Sequence, residues 1–173
     1  MHTNVVRYDA LSLLARSPDP YYQVRSAPSH PKAVAFLDTW RAHAHERDLV
    51  ISKDLPSRPF ARFLDNLMIA EPIENDTDFR IRLAGSSLRQ RYQREVSGER
   101  FSALFSPLIA EENIARLRKV QRTGTPSILS AAIIIDDAPR VQYEVILLRV
   151  LAPDETTMWN IVGIFMQAVQ PPQ

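Results

Sequence analysis

The 173-residue chain has no cysteine, only four histidines and only four glycines. Each scarcity closes a class of chemistry. Without cysteine there is no disulfide, no thiolate nucleophile or metal ligand, and no flavin–cysteine photoadduct. The histidines, His2, His30, His43 and His45, all precede the segment that reads as the main domain, so haem held by a core histidine is disfavoured. His43 and His45 stand two apart on a helical pattern and point to different sides, which prevents them from sharing a metal. Four glycines leave little for a phosphate cradle, and neither Gly-x4-Gly-Lys nor Gly-x-Ser-x-Gly occurs. No sign of charge dominates either: 21 Lys and Arg stand against 20 Asp and Glu, which disfavours nucleic acid and anionic membranes as partners. No apolar run approaches a bilayer span, and Met1-His2-Thr3-Asn4 leads into no signal-type segment. The expectation is a soluble, cytoplasmic protein.

What is present fits one domain with one core, since 45% of the residues are hydrophobic. Residues 1–28 carry Pro18, Pro20 and Pro28 and read as an extension. Residues 29–66 read as leading helices. The first starts at Ser29-His30-Pro31, with proline at the first helical position, and carries Val34, Leu37, Trp40 and Ala44 as its apolar stripe to about Arg47. The second, opened by Pro59, places Phe60, Phe63, Leu64 and Leu67 on one face.

Residues 67–169 read as the core and 170–173 as a tail. Leu67 to Ile73, the turn Glu74-Asn75-Asp76-Thr77-Asp78, and the alternating Phe79-Arg80-Ile81-Arg82-Leu83 form a β-hairpin. Gly85 ends it, and a short helix capped by Ser86 or Ser87 holds Leu88 and Tyr92. A longer helix runs from Ser106-Pro107 to Gly124, with acids early, bases late, and Ala110, Ile114, Leu117 and Val120 as its buried stripe. Ser127 to Ile135, Val141 to Leu151 and Thr156 to Val169 then form an antiparallel meander. The fold class is α+β, a five-stranded antiparallel sheet with helices on one face, preceded by an N-terminal helix.

This order of elements resembles the PAS fold over about residues 31–169. The wording is similar to that of a bacterial family of small single-domain PAS-like proteins. The residues that carry the likeness are His30-Pro31, Trp40, Leu55-Pro56-Ser57-Arg58, Val96-Ser97-Gly98 and, most specifically, Phe79-Arg80-Ile81-Arg82-Leu83-Ala84-Gly85. The resemblance implies a sensory or interaction module, with any ligand between the concave sheet face and the helices. Fold alone does not name that ligand.

Four residues read as candidate ligand contacts. Glu144 interrupts an apolar strand on the face of Ile146, Leu148 and Val150, where burial demands a partner, and Arg82 is the partner expected. The plain reading has both residues facing water from an exposed sheet face. Tyr92 and Phe101 stand beside the arginines and suit stacking on a ligand, although core packing is the plainer role. Arg80, Arg82, Arg89, Arg91 and Arg94 read chiefly as a solvated face, because Glu95 and Glu99 interrupt them. The leading expectation is a non-catalytic signalling domain with a small organic ligand, a protein partner, or both, its output non-covalent. It is expected to form a homodimer through the N-terminal helix. Three alternatives stay open: an enzyme using buried Glu144 as a base, cyclic-dinucleotide or nucleic-acid binding through the arginines, and a ligand-free scaffold. No cofactor is identified.

Overall fold

The computed structural model describes residues 19–167. In chain order these form β1 (Tyr21–Arg25), α1 (Pro31–His43), a 3₁₀ segment (Ala61–Asn66), β2 (Leu67–Ile73), β3 (Asp78–Ala84), α2 (Ser86–Tyr92), a second 3₁₀ segment (Phe101–Leu104), α3 (Pro107–Thr123), β4 (Ser127–Ile135), β5 (Ala138–Leu151) and β6 (Met158–Gln167). The hairpin, both later helices and the meander stand where the residue patterns put them. The reading of Thr156 to Val169 as strand runs past residue 167, where its last two residues lie outside the described part.

The sheet has six strands, not five, in the order β1-β4-β5-β6-β2-β3. The added strand is β1, which pairs antiparallel with β4 from Tyr21↔Ala132 to Arg25↔Ile128. Residues 21–25 therefore belong to the sheet and not to an extension. Only five residues long and rich in tyrosine, the strand lacks the turn-to-turn boundaries that mark the others.

Helices cover both faces of the sheet, which corrects the one-face expectation. Side chains alternate along β5: Val141, Tyr143, Val145 and Leu147 join one core cluster with α2 and α3, while Ile146, Leu148 and Val150 join a second with α1 and the first 3₁₀ segment. A strand buried on both sides has no wet positions to spare, hence the nearly unbroken apolar run.

Helix α1 lies back on its own sheet. Phe36 and Leu37 are buried, and the Phe36 ring meets those of Phe63 and Phe165 at 5.3 and 5.6 Å. The buried set is Ala33, Phe36 and Leu37, with Val34 exposed, so the apolar stripe is turned from the one read in the sequence. Its main residues are engaged in cis, which removes the argument for a dimer built on that stripe. The helix also stops at His43, short of Arg47. Close approach to the sheet is permitted at Gly163: a methyl group there would stand 2.8 Å from the Phe165 ring and 2.9 Å from that of Phe36.

Candidate functional site: a buried arginine among tyrosines

Helix α2 starts after Gly85 and presents Leu88 to the core. One turn on, Arg91 follows on the same side. Its side chain is buried, with only 6% of the residue exposed. The guanidinium carbon stands 4.7 Å from the centre of the Tyr92 ring and 4.8 Å from that of Tyr143 on β5. Nη1 donates to the Tyr92 hydroxyl at 2.6 Å, whereas Nε is buried and bonds nothing among the described residues. The Tyr143 hydroxyl is also buried, beside the Tyr22 hydroxyl and the Arg91 guanidinium but without a hydrogen bond of good geometry among the described residues.

Among the described residues, the other arginines of the segment form ion pairs. Arg80 and Arg82 pair with Glu71, Arg89 with Glu95, Arg94 with Glu99, and Arg100 with Glu74 and Asp78. Arg91 makes no such contact with a described carboxylate. The tyrosines do not supply the missing negative charge. Burial raises the pKa of Tyr22 and Tyr92 and pushes that of Tyr143 well above its ordinary value, with Arg91 acting in the opposite direction in each case. At neutral pH they are neutral hydroxyls around a cation, and burying a charge in this way is costly until an anion joins it.

Arg91 lines two spaces. On the inner side, between sheet and helices, a cavity of about 30 Å³ is lined by Tyr22, Leu88, Tyr92, Phe101, Asn113 and Tyr143 among others, enough for one or two waters. On the outer side lies an open groove of about 310 Å³, formed by His30 and Lys32 at the start of α1, Asn66, Ser87 and Gln90, and Phe165 and Met166 on β6. Asn66 is buried, and its Oδ1 is also without a partner.

Two of the four candidate residues, Tyr92 and Phe101, meet in the inner cavity. The other two are elsewhere. Glu144 projects from the opposite face of β5 and is 4% exposed, so it does not face water. Its partner is not Arg82 but the entry to α1. The carboxylate accepts from Ser29 N (2.8 Å) and His30 N (3.0 Å), from Gln167 Nε2 (3.3 Å), and from the Ser29 hydroxyl. Arg82 lies half-exposed on edge strand β3, near Glu71 at 3.5 Å and 5.9 Å from the Trp159 ring.

Sequence reasoning missed Tyr143, Tyr22 and Ser29, and read Arg91 with its neighbours as a solvated face, whereas it is buried. A signal for Arg91 was there, since Leu88 and Arg91 are three apart on a helix and share its buried side. The sequence profile described as PAS domain matches residues 28–166. Among curated proteins and among solved structures, nothing matches.

Proposed function

Because the chain belongs to the PAS domain family, whose members are sensory and signalling domains, we propose that it senses a small organic ligand at the Arg91–tyrosine cluster and reports it without covalent chemistry. The observation that carries this reading is a buried guanidinium with a bare Nε and no described carboxylate beside it. Buried polar groups are normally satisfied. Unmet ones of this kind, converging on a cavity, mark a ligand seat. Tyr92 and Phe101 are its walls.

Tyr22 supplies the way out for the signal. It lines the cavity from β1, with its ring 5.3 Å from the Arg116 guanidinium and its hydroxyl 3.5 Å from Asn113 Nδ2. On the same strand Tyr21 and Val24 are 65% and 76% exposed. A ligand that shifts Tyr22 moves an edge strand a protein partner can contact, a population shift between two settings of β1.

Native mass spectrometry of gently purified protein, followed by a thermal-shift screen of small molecules, tests the proposal. Binders should raise the midpoint in the wild type, less in Tyr143→Phe, and undiminished in Arg82→Ala, which touches neither space. A binder that responds to Arg82 and ignores Tyr143 would place the seat elsewhere.

A further inference from the structure

This inference rests on the seat proposed above and assigns the chemistry of what fills it. Size comes first. The inner cavity of about 30 Å³ has room for the oxygens of a head group and no more, whereas the outer groove of about 310 Å³ is on the scale of small-molecule sites. A ligand that uses both has a small polar head at Arg91 and a body of several carbons outside, against Phe165 and Met166.

Charge comes next. The groups lining the groove include the cations Arg91 and Lys32 and, among the described residues, no carboxylate. The three tyrosines around the guanidinium hold their protons, so one full positive charge is left for the ligand to balance. Geometry then selects among anions. With aromatic rings near the guanidinium carbon and Nη1 given to Tyr92, the bare Nε belongs to the side-on edge of the fork. That edge takes a planar carboxylate in two parallel bonds. A phosphate dianion would bring two charges to a seat with one buried cation.

We infer that the ligand is a small organic monocarboxylate, its head paired with the Nε edge of Arg91 and its hydrocarbon body lying in the groove between the start of α1, α2 and the end of β6. The Tyr143 hydroxyl, which has no hydrogen bond of good geometry, is a further donor for the same head. Lys32 adds attraction at the rim, where solvent screens it.

Calorimetry with matched acids and primary amides, phenylacetate against phenylacetamide and isovalerate against isovaleramide, tests the assignment. Expected are binding of an acid, at least about tenfold weaker binding of its amide, and loss of acid binding in Arg91→Gln. Removing an uncompensated buried charge should leave ligand-free Arg91→Gln no less stable than the wild type. If that variant does not fold, the wild type answers the question: the Arg91 Nε–H resonance should shift on titration with acid and stay put with amide. Equal binding of acid and amide would overturn the carboxylate assignment and leave the seat standing. An acid that binds without moving that resonance, and as well to Arg91→Gln, would overturn both. So would a failure of every acid and amide to bind at millimolar concentration.

Discussion

Glu144 shows how a single residue can be essential without being chemical. Its carboxylate gathers the backbone N–H groups of Ser29 and His30, the Ser29 hydroxyl and Gln167, so its accepting positions are occupied by donors from the chain itself. Glu144→Ala should cost about 2–4 kcal/mol in urea unfolding, because buried donors lose their acceptor. Glu144→Gln should cost less, since the amide keeps one oxygen. An unchanged midpoint for the alanine variant would mean that the tie contributes nothing. That an acid at 144 interrupts an apolar face was legible from the alternation of β5, although the plain reading turned it to water and the structure buries it. Its partner was not, because two of the donors are the backbone groups of Ser29 and His30, 115 and 114 residues away, and a backbone N–H carries no signature in a sequence. Arg91 was hidden for a different reason. Its neighbours Arg89 and Arg94 do pair on the surface, and charge counting treats the three alike.

Among the elements, α1 is the one whose role differs most from its appearance in sequence. Periodicity located it well, and Pro31 marked its start. What periodicity could not give was the floor under it, since Phe165, Ile161 and Phe63 come from distant segments. Phe36→Ala should destabilise the protein by roughly 3–5 kcal/mol, as expected when a buried aromatic leaves a cavity. Gly163→Ala should cost about 1–3 kcal/mol by pressing a methyl group into the Phe36 and Phe165 rings. Combined with Phe36→Leu, the cost of Gly163→Ala should shrink, because the smaller side chain makes room. Strict additivity of the two changes would show that glycine 163 is not what lets α1 approach. The strands were the most legible elements, each bounded by turn residues. β1 escaped because five residues with a weak alternation give too little pattern.

For the molecule as a whole, pH should narrow stability from both sides. Arg47 holds Asp54 at a pKa of about 2, and the Thr157 hydroxyl and amide hold Asp154 at about 2. Folded values below the unfolded one, about 3.8, mean that the contribution is complete above that pH and fades as pH falls towards 2. Tyr22, Tyr92 and Tyr143 have raised values. Their contribution is complete below pH 10, where the unfolded chain starts to ionise, and is lost as pH rises through the folded values. Unfolding midpoints across pH should therefore form a plateau with an acid and an alkaline shoulder. Tyr143→Phe should soften the alkaline one, and an unaltered shoulder would exclude that tyrosine as its source. The same sheet order bears on how the protein is born. β1 finds its neighbour only when β4 has been made, and the floor of α1 is completed only by β6 at residues 158–167. On the ribosome Phe36 and Leu37 therefore wait uncovered until β6 has emerged. Residues 21–43 are made before the strands that cover them, and for that interval they are a natural client for a holding chaperone.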